Sequence, residues 1–181
     1  MSTPVAEQPF EVLLAEDHPG DVKLTREALK GSAVRINLSV AANGEETLAF
    51  LRRQGKYIGA ARPSMILLDL NMPKKNGWEV LFEMKKDPEL DCIPVVILTT
   101  SGAEEDILRS YKLHANAYIT KPNRMDRWAF IVKAMEEFLL HVARLPHTAA
   151  RRKKTEAAER QLSRRTSRPS APELSVGSIS V

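Results

Sequence analysis

Five apolar runs of strand length recur along this chain, at residues 10–15, 34–41, 65–68, 94–98 and 117–120, and each is followed by a segment with helical spacing. A strict alternation of this kind fits an open parallel sheet wrapped by helices on both faces. The intervening segments carry their own start and stop signals. Asp21 is the expected N-cap of a first helix that turns Val22, Leu24, Ala28 and Leu29 inward and ends at Gly31. Asn43-Gly44 opens a second, running through Leu48 and Leu51 and closed near Gly55, and residues 57–63 read as a surface loop. Residues 77–86 place Val80, Leu81 and Met84 on one side of a third helix, and 104–113 form a fourth. The last helix spaces Trp128, Ile131, Val132, Met135, Leu139 and Val142 for burial and is expected to reach about Leu145, before Pro146.

Open parallel sheets carry their ligand sites outside the carboxyl ends of the strands. The polar residues met there form one group. Glu16 and Asp17 follow the first run, Asp69 the third, Thr99 the fourth and Lys121 the fifth. Asp69 stands where an apolar run stops, ahead of the turn marked by Pro73 and Gly77, although a loop aspartate that only caps a turn would look the same in isolation. Three carboxylates gathered at one edge repel one another and call for a cation, and a hard divalent ion such as Mg2+ suits oxygen ligands while keeping several waters. A phosphoryl group arriving at Asp69 would find Mg2+ and the Lys121 ammonium to offset its charge and the Thr99 hydroxyl to donate a hydrogen bond. The chemistry suggested is phosphoryl transfer to an aspartate nucleophile.

Taken in order, Leu14-Ala15-Glu16-Asp17, Leu67-Leu68-Asp69-Leu70-Asn71-Met72-Pro73, Leu98-Thr99-Thr100-Ser101 and Tyr118-Ile119-Thr120-Lys121-Pro122 resemble the receiver domains of two-component response regulators. The likeness extends from Phe10 to about Leu145. The wording of His18-Pro19-Gly20-Asp21, of residues 103–111 and of Leu113-His114-Ala115-Asn116 is closer to single-domain regulators paired with phytochrome-type histidine kinases. The resemblance implies a (βα)5 flavodoxin-like fold and a phosphoryl group accepted by Asp69 from a kinase phosphohistidine. It further implies that Asp17 binds Mg2+ directly, that Glu16 acts mainly through bound water, and that Asn71 supplies a backbone carbonyl to the ion. Thr99 and Lys121 would bind the phosphoryl oxygens, with Thr99 and Tyr118 moving together as the switch. Such a protein catalyses only its own phosphorylation and dephosphorylation. Two other readings stay open: a receiver-like docking module indifferent to phosphorylation, and a phosphohydrolase with Asp69 as nucleophile. Hydrolases of the latter kind usually place a second acid soon after the nucleophile, where this chain has Asn71.

Within the site region His18 reads as a turn residue rather than a ligand, and Trp78 as either a packing residue or a partner contact. On the last helix Trp128, Phe130, Ile131, Phe138 and Leu140 spread apolar surface over more than one stripe, which points to a second contact surface. The resemblance makes that surface a homodimer face built from the last two helices and the strand between them.

Charge divides the chain. Residues 147–181 hold 8 Lys/Arg against 3 Asp/Glu, and residues 1–146 hold 19 against 20, so the net charge of +4 belongs to the tail. With few large apolar residues, that tail is expected to be disordered, after a receiver domain at 10–146 and a flexible N-terminus at 1–9. Its basic run suits nucleic acid, an anionic membrane or an acidic partner, and a plain solubilising tail is the simpler reading. It is too short and too basic for a DNA-binding output domain. One cysteine, Cys92, excludes an internal disulfide, and no run approaches the roughly 20 apolar residues of a membrane span. The expected location is the cytoplasm.

Overall fold

The computed structural model describes residues 9–32 and 34–138. Five strands, β1 (Phe10–Ala15), β2 (Ile36–Ala41), β3 (Met65–Leu68), β4 (Val95–Thr99) and β5 (Ala117–Thr120), alternate with helices α1 (Pro19–Leu29), α2 (Gly44–Leu51), α3 (Gly77–Lys86), α4 (Glu104–Lys112) and α5 (Met125–Glu136). All strand pairs are parallel, in the order β2-β1-β3-β4-β5. This is the doubly covered parallel sheet expected from the alternation.

Burial explains the composition of the strands. β3 and β4 are buried throughout, whereas the edge strands β2 and β5 are mostly half-buried. Both faces of the central strands are covered, so they read as unbroken apolar runs rather than alternating ones. Alternate residues feed two cores. Leu13, Ala15, Ile66, Leu68, Val95 and Ile97 pack with Leu48, Leu51, Val80, Leu81 and Met84 of α2 and α3. Val12, Leu14, Met65, Leu67, Val96 and Leu98 pack with Trp128 of α5 and with Val22, Leu24 and Ala28 of α1.

Side-chain caps fix the starts of α1, α2 and α3. Asn43 accepts a hydrogen bond from the Glu46 amide at 3.0 Å, and Asn76 forms a reciprocal capping box with Glu79. One expectation fails here. Asp21 is not the N-cap of α1; His18 is, with its Nδ1 accepting from the Asp21 amide at 3.4 Å. Pro19 is the cause, since a proline with a preset φ and no N–H favours the first helical position and starts the helix three residues early. β2 also begins at Ile36 rather than Val34. Residues 139–145 of the expected last helix, the N-terminus before residue 9 and the tail from 147 lie outside the described residues. Among those described, no helix is long and apolar enough to cross a membrane.

Candidate functional site

The strand order reverses beside β1, since β2 lies on one side of it and β3, next along the chain, on the other. The crevice at such a switch point lies between the carboxyl ends of β1 and β3. Register sets the depth of each side chain in it. Ala15, Leu68 and Ile97 are level across β1, β3 and β4, so Glu16 and Asp69 emerge side by side. Thr99 pairs with Thr120, which brings Lys121 to the same edge, and the Lys121 amide donates to the Thr99 carbonyl at 2.7 Å.

These residues converge on one ammonium. Lys121 Nζ lies 2.7 Å from Asp69 Oδ2, 2.6 Å from Glu16 Oε2 and 2.9 Å from Asp21 Oδ2, and its side chain is only 5% exposed. Burial pulls the lysine pKa down, but the hydrogen bonds to Asp69, Glu16 and Asp21 outweigh it and hold the group protonated well above the usual lysine range. Burial pushes Glu16 the other way, above the ordinary carboxylate value, with the Asp69 charge adding to the rise and Lys121 opposing it. Glu16 Oε1 takes the His18 amide at 3.1 Å, and Asp69 Oδ1 takes the Asn71 amide at 3.2 Å. Asp17 is exposed, at the mouth. One oxygen from each of Glu16, Asp17 and Asp69 falls within 4.8 Å of the others. An all-oxygen donor set of this size fits a hard divalent cation.

Thr99 is fully buried, whereas Thr100 is exposed, so of the two threonines only Thr99 belongs to the strand end proper. Ser101 ties the loop after it in two directions. Its carbonyl accepts the Tyr118 hydroxyl at 3.0 Å, and its own hydroxyl donates to Asp106 Oδ2 at 2.5 Å in the first turn of α4. Tyr118 is half-buried, and that burial raises the pKa of its phenol. Trp78 packs against the first core and carries the Arg109 guanidinium 4.4 Å above its ring, which joins the start of α3 to α4.

Glu16, Asp17, Asp69, Asn71, Thr99 and Lys121 therefore lie at one sheet edge or in the loops that leave it, while Tyr118 stands inside β5, level with Ile97 of β4. Asp21 was not selected. Its role depends on the early start of α1, which turns an expected cap into a first-turn carboxylate facing Lys121; Pro19 was the available signal.

Comparison with known proteins agrees with this geometry. The model of the family described as "Response regulator receiver domain" matches residues 12–133. Response regulator Rcp1 of Synechocystis sp. is 45% identical over 138 residues, which span 76% of this chain and 94% of Rcp1. Among solved structures, the phosphorylated cyanobacterial phytochrome response regulator RcpA is 48% identical, with a TM-score of 0.73 over 77% of this chain and 99% of its own. The Mn2+-bound form of Rcp1 is 45% identical, with a TM-score of 0.71 over 76% of this chain and 99% of its own.

Proposed function

This chain belongs to the response regulator receiver family, which works by phosphorylation in two-component signalling, and we propose that Asp69 is its phosphoacceptor. The observation that carries the proposal is the 2.7 Å contact between Asp69 and a buried Lys121 in the crevice that also holds Glu16 and Asp17. The partner is a sensor histidine kinase. Likeness to Rcp1 and RcpA favours a phytochrome-type kinase.

In the proposed reaction an Asp69 carboxylate oxygen attacks the phosphorus of a kinase phosphohistidine. The O–P bond forms as the N–P bond breaks, and the imidazole takes up the leaving electron pair. Lys121, always an ammonium, places its charge against one phosphoryl oxygen, and the Thr99 hydroxyl donates to another. Asp17, Asp69 and the Asn71 carbonyl, with Glu16 acting through water, would hold Mg2+, which would supply positive charge to offset that of the phosphoryl oxygens. Water later hydrolyses the aspartyl phosphate and resets the site.

The signal leaves through the β4–α4 loop. If Thr99 moves toward the phosphoryl group, Ser101 moves with it and pulls on both Tyr118 and Asp106, the two contacts that tie this loop to β5 and α4. Driving such a switch from mostly off to mostly on takes about 5.5 kcal/mol of differential stabilisation. The new charge of a phosphoryl group and its hydrogen bonds are of that order.

The receiver occupies residues 10–146 and the basic segment 147–181 is an appendage suited to an acidic partner. The assembled form is a homodimer through α4, β5 and α5, whose outer faces expose Leu108, Tyr111 and Phe130. Incubation with acetyl phosphate and Mg2+ followed by intact mass tests the chemistry. The expected result is one added phosphoryl group in the wild type and none in Asp69→Asn. No addition at any Mg2+ concentration would leave a docking module.

A further inference from the structure

Asp21 gives Lys121 one more carboxylate than the acidic cluster requires. An ammonium has three protons and no acceptor, and the contacts to Glu16, Asp69 and Asp21 use all three. Glu16 and Asp69 also belong, with Asp17, to the group of oxygens that can surround a cation; Asp21 does not. The same two carboxylates are thus wanted twice, by the lysine and by the ion. A lysine only 5% exposed cannot lose both to the ion without a partner left to hold it, because an uncompensated buried charge is strongly unfavourable.

We propose that Asp21 is a positioning residue that retains the Lys121 ammonium when Glu16 and Asp69 turn to a divalent ion, so that lysine and ion share the site instead of excluding each other. The inference rests on the reading above that the site takes such an ion. Its geometry is set by α1. The Asp21 amide donates to His18 Nδ1 at 3.4 Å, Asp21 Oδ1 lies 3.6 Å from that same nitrogen, and Oδ2 points to Lys121. The carboxylate also gains from its place in the first helical turn, near the positive end of the helix dipole.

The test is Mn2+ affinity, read from the electron paramagnetic resonance signal of the free ion, for wild type, Asp21→Asn, Lys121→Gln and the double variant. Asp21→Asn should weaken binding about tenfold, the size of one charge-assisted hydrogen bond lost. In the Lys121→Gln background the same change should cost less than about twofold, because there is no lysine to retain. An equal loss in both backgrounds would mean that Asp21 acts on the ion directly and would overturn the proposal. So would unchanged affinity in Asp21→Asn. Absence of Mn2+ binding by the wild type would overturn this proposal and the divalent-ion reading together, which separates the two failures. Circular dichroism verifies that each variant is folded, and Asp21→Ser provides an independent removal of the charge with the same expected loss.

Discussion

Gly77 contributes no side chain to the site, yet it sets the height of Asp69. A Cβ at this position would overlap the Asp69 carbonyl oxygen and crowd the backbone of Leu70, and the Gly77 amide already donates to the Leu70 carbonyl at 3.0 Å. The start of α3 therefore lies directly against the strand end that presents Asp69. Gly77→Ala must push one away from the other. The expected cost is about 1–3 kcal/mol of stability, as for other overpacked sites, together with slower labelling of Asp69 by acetyl phosphate. Urea unfolding and a labelling time course check this, and wild-type behaviour in both would contradict it. At this scale the sequence was legible wherever a polar residue directly ends an apolar run, as with Asp69, Thr99 and Lys121. Asp21 and His18 were not legible, because their roles turn on a three-residue difference in where α1 begins.

Between elements, Glu83 is a junction. It lies on α3 and meets Arg52, just past α2, at 2.9 Å and Lys75, in the loop before α3, at 2.7 Å. The Lys75 hydrogen bond is the larger cause holding the Glu83 pKa below its ordinary 4.5, and Arg52 adds to it against the opposing effect of burial. A carboxylate with a depressed folded pKa adds stability above its unfolded value, and that share is lost as pH falls through the folded value. The window is therefore acidic, beginning near 4.5 and extending below it. Glu83→Gln should cost roughly 0.5–1 kcal/mol at neutral pH. The gap from wild type should close as acid protonates Glu83. Urea midpoints at neutral and acid pH measure this, and a gap independent of pH would contradict it. Strand and helix identities were readable from periodicity, and α3 was bounded correctly because its cap and its apolar stripe agree. The start of β2 was less legible, since an edge strand with half-buried residues has no sharp apolar boundary.

At the scale of the molecule, two features remain to be connected: the site at the sheet edge and the apolar face of α4, β5 and α5. Leu108 is 53% exposed, Tyr111 49% and Phe130 63%, while Val132 on the same α5 is buried and Trp128 is buried against the sheet. The surplus apolar surface read from the last helix is thus divided between a core stripe and an outward one, at least as far as residue 138. Dimerisation through the outward stripe predicts a mass near twice that of the monomer by light scattering, and Phe130→Glu should return it to the monomer. Monomer at high concentration, with and without acetyl phosphate, would contradict the dimer. The doubly covered sheet could be read from the order of the five runs. How Ser101 ties Tyr118 to α4 could not, because it depends on tertiary contacts that sequence spacing does not encode. The central claim is that, among the carboxylates Glu16, Asp17, Asp21 and Asp69, it is Asp69 that receives the phosphoryl group. Borohydride trapping of the labelled wild type, followed by peptide mass mapping, tests it most directly. Conversion at Asp69 alone is the predicted result, and conversion at any of the other three would contradict the account.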